Sequence, residues 1–268
     1  MSTMTWHPYI SDTTVGDIRV YLGLASPQLG NRRDIAVYLP PSYARQPDRR
    51  YPVVYMQDGQ NLFDEATSFA GEWRADETME ELAGEGLEAI IVGVPNAGAD
   101  RMAEYSPFRD QRHGGGQGHV YLRFLIDTLK PLIDRDLRTL PGRAHTGILG
   151  SSMGGLISIY GFFAYPEQFG FVGAMSPSLW FARGKVLTAI RRCPPILGQI
   201  YLDMGDAEPA RSVGLCGDLH ALLLAKGYMP ERDLRYVLEE GAGHDEAAWA
   251  RRLPDALRFL LRGRSHPL

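Results

Sequence analysis

The chain has 268 residues, of which 44% are hydrophobic, and this is enough for the core of one α/β domain spanning residues 1–268. A formal net charge of −4 and a sequence pI near 6.0 argue against nucleic acid or an anionic membrane as partner. The two cysteines, Cys193 and Cys216, are too few for a disulfide framework and lack metal-ligand spacing. We therefore expect a small-molecule partner, and the oligomeric state is not predicted.

The N-terminal segment has no basic stretch followed by an apolar one, and no apolar run of 18 residues occurs in the chain. This pattern predicts a cytoplasmic protein that does not enter a membrane. A leader removed before the first residue stays an open alternative.

Short apolar, β-branched runs alternate with helical patterns, which is typical of a mostly parallel sheet covered by helices on both faces. Glycine or proline at the ends of these runs favours strands that are buried on both sides. In chain order, the predicted strands span residues 17–24, 33–41, 51–57, 88–95, 144–150, 169–176, 199–205 and 233–240.

Helical patterns fill the gaps between these strands. Apolar residues at three-and-four spacing predict a helix over 119–137, which Pro131 is expected to kink or divide. Residues 153–164 are almost entirely apolar and predict a buried central helix, and 212–227 predict a helix capped by Gly227. The glycine-rich segment 112–119 is expected to be a mobile loop.

The run GILGSSMGG at 147–155 contains a G-x-S-x-G pattern formed by Gly150, Ser152 and Gly154. In this pattern a serine occupies a strained strand-to-helix turn that exposes its hydroxyl above the edge of the sheet. The glycines allow the close backbone approach that such a turn needs. The motif alone is weak evidence, because a serine nucleophile also needs a base and a group to orient that base.

Downstream residues can supply both groups. His244 follows the last predicted strand in the segment EEGAGHDEAAW, where small residues give the loop room to reach the sheet edge. The loop after the preceding strand offers three carboxylates, Asp203, Asp206 and Glu208, although Asp203 lies inside the strand pattern. Serine, then carboxylate, then histidine is the chain order of the α/β-hydrolase fold. His113 and His119 have no partner cysteine or H-x-x-x-H helix, so we expect no metal site and no cofactor.

Several ordered motifs carry a family resemblance. YMQDGQNLFD at 55–64, GSSMGGLIS, SPSLWF at 176–181, YLDMGDAE and GHDEAAW resemble the putative esterase family of α/β-hydrolases, from about Arg33 to Leu261. This family includes siderophore, feruloyl and acetylxylan esterases and the mycolyltransferases. The resemblance implies an α/β-hydrolase fold and a serine esterase that acts on a small or medium soluble ester.

The resemblance also implies roles for individual residues. It makes Ser152 the nucleophile, His244 the base and Glu208 the acid, with Asp206 as the rival acid two residues away. A tetrahedral oxyanion needs two hydrogen-bond donors. One is expected to be the backbone N–H of Met153 at the start of the helix, and the resemblance implies the backbone N–H of Gln60 as the other.

Six further residues are candidates for the substrate pocket. Asp58 would brace the oxyanion turn, or it is simply a turn former. Phe63, Trp73 and Trp180 offer aromatic surface, with core packing as the alternative. Arg101 and Glu104 follow the fourth strand on the expected active-site edge, with a buried pair that holds the loop as the alternative.

Two other functions remain open at this point. The same chemistry could transfer the acyl group to an alcohol, or the chain could be a non-catalytic binding protein on a hydrolase scaffold. Only 55 residues separate Ser152 from Glu208, so no large lid domain is expected and an open cleft is favoured. The acyl and alcohol parts of the substrate are not predicted.

Overall fold

One large central sheet carries the candidate site at its edge. A computed structural model describes residues 5–262 and Arg264. The strands are β1 (Trp6–Pro8), β2 (Asp17–Ser26), β3 (Asn31–Leu39), β4 (Val53–Gln57), β5 (Ile90–Val94), β6 (Arg109–Asp110), β7 (Gly114–Gly115), β8 (Thr146–Ser151), β9 (Phe171–Met175), β10 (Gln199–Gly205) and β11 (Leu234–Glu239). Nine of them form the sheet in the order β1-β2-β3-β5-β4-β8-β9-β10-β11, and β6 pairs with β7 in a separate hairpin.

Strand pairing changes from antiparallel to parallel across the sheet. The first strands, β1 to β3, pair antiparallel and join β5, whereas every pairing from β5 to β11 is parallel. Every residue of β4, β5, β8 and β9 is buried, as expected for parallel strands covered on both faces. The predicted α/β-hydrolase architecture with a mostly parallel sheet is confirmed.

Helices pack on both faces of this sheet. They are α1 (Ala75–Gly84), α2 (Arg101–Glu104), α3 (Gly118–Phe124), α4 (Lys130–Asp136), α5 (Met153–Ala164), α6 (Lys185–Arg192), α7 (Ala210–Ala225) and α8 (Glu246–Leu261). The larger apolar cluster packs the helices from α3 through α7 against one face of the sheet. A second cluster packs α1 and α8 against the other face. Among the described residues, no helix is both long and apolar enough to cross a bilayer.

The predicted helix over 119–137 is interrupted where a proline was expected to disturb it. Between α3 and α4, Leu125–Leu129 form a π-helical turn directly before Pro131. Proline lacks the N–H of a regular helix and its ring crowds the preceding turn, so the wider turn accommodates it. Helix α5 matches the predicted range 153–164, and Gly227 adopts a left-handed φ of 92° just after α7.

The glycine-rich segment differs from the expected mobile loop. Part of it forms the β6–β7 hairpin, and the amides of Gly116 and Gly118 both donate to the Ser106 carbonyl at 2.9 Å. Gly115 lies where a Cβ would come within 2.6 Å of the Phe108 carbonyl oxygen. The glycines are therefore required by a tight turn packed onto the domain. Strands β1, β6 and β7 and helices α1, α2 and α6 were not predicted.

Candidate active site

Ser152 occupies the sharp turn between β8 and α5. Its backbone has φ 54° and ψ −119°, a conformation that non-glycine residues rarely adopt. A Cβ at Gly150 would lie 2.7 Å from Gln57 Cγ, and a Cβ at Gly154 would lie 2.9 Å from Gln57 Cβ. The two glycines of the motif thus let α5 start against β4, which holds the turn and its serine in place.

A hydrogen-bond chain runs from this serine to a carboxylate. His244 Nε2 lies 2.9 Å from Ser152 Oγ, and His244 Nδ1 lies 2.7 Å from Glu208 Oε2. A carboxylate can only accept, so Nδ1 carries a proton and Nε2 is free to accept from the serine. The His244 ring meets the Trp249 ring edge-on at 5.0 Å. Its side chain is 38% exposed, which leaves it open to a substrate.

The three candidate carboxylates lie in different environments. Glu208 is buried and contacts His244, whereas Asp206 is exposed and accepts a hydrogen bond from the Gly241 amide at 2.7 Å. Asp203 is fully buried inside β10. The structure therefore brings Glu208, and neither of the two aspartates, to the histidine.

The second oxygen of Glu208 is also held. Oε1 accepts hydrogen bonds from Ser176 Oγ at 2.5 Å and from the Gly205 amide at 3.1 Å. Burial alone would raise the pKa of Glu208, but the hydrogen bonds from His244, Ser176 and Gly205 outweigh it and hold the pKa below its usual value. Glu208 is therefore stabilised as an anion, the form that can orient a histidine.

A buried ion-pair network supports this carboxylate, and the sequence reasoning missed it. Arg252 on α8 lies 3.0 Å from Asp203 Oδ2, donates to Ser176 Oγ at 3.0 Å and donates to Glu239 at 2.6 Å. Burial raises the pKa of Asp203 to about 6, although Arg252 opposes the shift. Two features of the sequence could have indicated this network: an aspartate inside a buried strand and an arginine among apolar helix residues. Buried charges need partners of opposite charge.

The turn after β4 faces the serine from a neighbouring strand. Asp58 adopts a left-handed conformation, and its carboxylate accepts two hydrogen bonds from Arg101, each at 2.8 Å, and one from Asn96 at 2.7 Å. A Cβ at Gly59 would lie 2.4 Å from the carbonyl carbon of Gly93 in β5. This turn is therefore packed directly on the sheet, and Asp58 and Arg101 brace it as an ion pair.

Two backbone amides near the serine have no hydrogen-bond partner among the described residues. Within residues 5–262, the N–H groups of Gln60 and Met153 donate no hydrogen bond. The rest of Gln60 is fixed, because its side-chain oxygen accepts from the Asn96 amide at 3.2 Å and its carbonyl accepts from Thr67 at 2.7 Å. Both amides are therefore available to a negatively charged oxygen.

A cleft of about 510 Å³ opens in front of these groups. Asp58 and Arg101 line it, as does Trp249, which the sequence reasoning did not consider. The cleft also borders Gln60, Ser152 and His244.

The other pocket candidates do not line this cleft. Phe63 and Trp73 are buried in the apolar cluster that includes α1 and α8, and Phe63 also lines a neighbouring cavity. Glu104 is buried in an ion pair with Arg33 at 2.5 Å, which matches the loop-bracing alternative. Trp180 packs against His113 at 5.6 Å and does not line the cleft.

The segment around Trp180 contributes serines instead. Ser178 Oγ lies 3.2 Å from Ser152 Oγ, and the Ser178 amide donates to the Ser152 carbonyl at 2.9 Å. Together with Ser176 below Glu208, these contacts show that the motif SPSLWF meets the site through its serines.

A separate cluster of acidic side chains lies at the start of α1. Ligand oxygens of Glu72, Asp76 and Glu77 come within 4.8 Å of one another. Burial raises the pKa of Glu72 to about 7 and that of Asp76 to about 8, with Glu77 adding to both shifts. Shared protons can therefore hold these carboxyl groups together, and their proximity alone does not indicate a metal.

Known proteins resemble this chain over most of its length. The sequence model of the family described as "Putative esterase" matches residues 26–260. YbbA, an uncharacterized protein of Bacillus subtilis, is 27% identical over 250 residues, which cover 88% of this chain and 95% of YbbA. An endo-1,4-beta-xylanase/feruloyl esterase of Xylanibacter ruminicola is 25% identical over 260 residues. This match covers 96% of this chain but only 33% of that relative.

A solved structure supports the fold independently. The enterochelin esterase from Shigella flexneri has a TM-score of 0.76 at 19% identity, covering 97% of this chain and 61% of that chain. This chain therefore belongs to the putative esterase family of hydrolases, which act on esters, and it has the α/β-hydrolase fold.

Proposed function

We propose that this chain is a serine carboxylic-ester hydrolase that forms an acyl-enzyme intermediate on Ser152. The observation that carries the proposal is the hydrogen-bond chain from Ser152 through His244 to Glu208, on loops at the same edge of the sheet. The family membership agrees with it, and two of the relatives are named as a feruloyl esterase and an enterochelin esterase. The substrate is a small or medium soluble ester.

The first half of the reaction is acylation. His244 Nε2 removes the proton of Ser152 as the serine oxygen attacks the carbonyl carbon of the ester. Glu208 holds the ring in the correct tautomer and stabilises the imidazolium that forms. His244 then gives this proton to the oxygen of the departing alcohol, and the acyl group stays on Ser152.

The oxyanion of the tetrahedral intermediate lies between the amides of Gln60 and Met153. The Met153 amide is at the N-terminus of α5, where the helix dipole adds favourable potential for negative charge. The Gln60 amide is held in place by the braced turn at Asp58 and Gly59. Donors fixed before the reaction need no reorganisation as the charge develops.

Water completes the cycle by the same steps. It enters the cleft and attacks the acyl-enzyme carbonyl as His244 removes its proton. The acyl–Oγ bond then breaks, His244 returns the proton to Ser152 Oγ, and the carboxylic acid leaves. The open cleft gives water access to the acyl-enzyme, which favours hydrolysis.

A labelling experiment tests this proposal. We expect purified protein to hydrolyse p-nitrophenyl acetate and to gain one adduct per chain from a serine-directed phosphonate, measured by intact mass. Ser152→Ala should lose both properties, whereas Ser158→Ala, a buried serine on α5, should keep both. A wild-type protein that is neither labelled nor active would instead be a binding protein on a hydrolase scaffold.

The proposed role of Gln60 predicts a mild effect of its side chain. Gln60→Ala removes the contact with the Asn96 amide but keeps the backbone N–H, so kcat should fall by no more than about tenfold. Steady-state kinetics on p-nitrophenyl acetate measure this. A loss as large as that of Ser152→Ala would contradict a backbone donor at this position.

A further inference from the structure

A second cavity adjoins the candidate active site. It has a volume of about 680 Å³ and shares two wall residues, Gln60 and Asn96, with the cleft that contains Ser152. This volume lies in the range of about 300–1,000 Å³ that is typical of small-molecule sites. The two cavities therefore meet at the residue whose amide we assign to the oxyanion.

The floor of this cavity is a row of small and apolar residues across three strands. Val20 on β2 is paired with Ala36 on β3, and Ala36 is paired with Gly93 on β5. Directly paired residues lie on the same face of a sheet, so side-chain size decreases along this row toward the Gln60 turn. The small side chain of Ala36 leaves this space unfilled, whereas at Gly93 the ring of Phe63 and the backbone of Gly59 pack close to the strand.

Apolar walls and an exposed mouth complete the cavity. Ile18 and Phe63 line it near the core, and Leu22, which is 54% exposed, lines it at the outside. Exposed charges of both signs, Arg32 beside Asp34 and Asp100, also line the cavity, so they do not select an occupant of either charge. The chemistry therefore suits an uncharged apolar group.

The proposed mechanism decides which part of an ester reaches this cavity. His244 must protonate the alcohol oxygen, so the alcohol leaves on the side of His244 and its neighbour Trp249. Both residues line the cleft, and neither lines the second cavity. The acyl group extends from the other side of the carbonyl carbon, toward Gln60 and Asn96.

From this geometry we propose that the cavity over Val20, Ala36 and Gly93 is the acyl-binding subsite, and that the chain prefers esters of uncharged, medium-sized apolar carboxylic acids. The inference rests on the proposed esterase function and deepens it. Burial of each methylene of the acyl group should raise kcat/KM by up to about fourfold.

A series of p-nitrophenyl esters with a constant leaving group tests the subsite. In the wild type we expect kcat/KM to rise from acetate through butyrate to hexanoate. Ala36→Phe fills the floor and should lower the ratio of the hexanoate to the acetate value by about tenfold or more. Val20→Phe enters the same space from β2 and keeps the test valid should Ala36→Phe not fold, which thermal unfolding reveals. Leu238→Phe, on the exposed surface of β11, is the matched control and should leave the ratio unchanged.

The outcomes separate the subsite from the reaction. An active wild type whose kcat/KM is independent of acyl length, or variants that fold but keep the wild-type ratio, would overturn the subsite and leave the esterase proposal standing. If the variants instead alter the dependence on alcohol length in a series of acetate esters, the assignment to the acyl group is wrong. A wild type that hydrolyses no ester would overturn both proposals.

Discussion

Glu208→Gln is expected to lower kcat by a factor on the order of 10⁴, whereas Asp206→Asn should change it by less than about threefold. The glutamine amide can donate to His244 Nδ1 in place of accepting from it. That arrangement favours the tautomer with the proton on Nε2, which cannot accept the Ser152 proton. Asparagine at 206 keeps an oxygen that can accept from the Gly241 amide, so the loop before His244 is preserved.

The measurement is kcat on p-nitrophenyl acetate for both variants and the wild type, together with thermal unfolding. Equal melting temperatures would show that the loss at position 208 lies in the chemistry. A large loss in Asp206→Asn with near-normal activity in Glu208→Gln would instead make Asp206 the acid.

The sequence predicted the parts of this site that depend on local backbone constraints. The glycines around Ser152 allow α5 to start close to β4, where a larger residue would clash. The pattern therefore indicates where β8 ends and α5 begins. The eight strands of the parallel region and its antiparallel neighbours were predicted because short buried runs with glycine and proline at their ends have few alternatives.

Contacts between distant residues could not be predicted in the same way. Arg33 and Glu104 form an ion pair although they are 71 positions apart in the chain, and neither local sequence indicates which residue is the partner. Phe63 and Trp73 are next to active-site segments in the chain, but the direction of their side chains depends on packing with α1 and α8. Trp249 reaches His244 because the loop turns directly into α8.

The choice between Glu208 and Asp206 shows a third limit. Both residues lie on one short loop, and one extended residue spans only about 3.5 Å. Their separation into buried and exposed positions depends on contacts of Glu208 with Ser176 and the Gly205 amide. Such contacts require the three-dimensional arrangement of β9 and β10.

Arg252→Met is expected to lower the free energy of unfolding by about 3–5 kcal/mol at pH 8, because it leaves the Asp203 carboxylate buried without its counter-ion. Asp203 is fully buried, and the Arg252 side chain is only 4% exposed. Arg251→Met is a matched control, since Arg251 contacts the same Glu239 from a side chain that is 56% exposed. The control should change the free energy of unfolding by no more than about 0.5 kcal/mol.

The effect of Arg252→Met should depend on pH. The pKa of Asp203 is about 6 in the folded protein, above its value of about 3.9 in an unfolded chain. Between these two values the folded state holds more protons, so this group makes the protein less stable as pH rises. Loss of the arginine raises the folded-state pKa of Asp203 further, so the free energy of unfolding continues to decline up to a higher pH. The destabilisation by Arg252→Met should therefore be larger at pH 8 than at pH 5.

Denaturant unfolding of four proteins at both pH values tests this reasoning. Adding Asp203→Asn to Arg252→Met removes the uncompensated charge, so the double variant should be more stable than Arg252→Met alone at pH 8 and similar to it at pH 5. Because Arg252 also donates to Ser176, which donates to Glu208, kcat should fall in both variants that lack the arginine. Equal destabilisation by Arg252→Met at the two pH values would mean that lost packing, and not the buried charge, determines its effect.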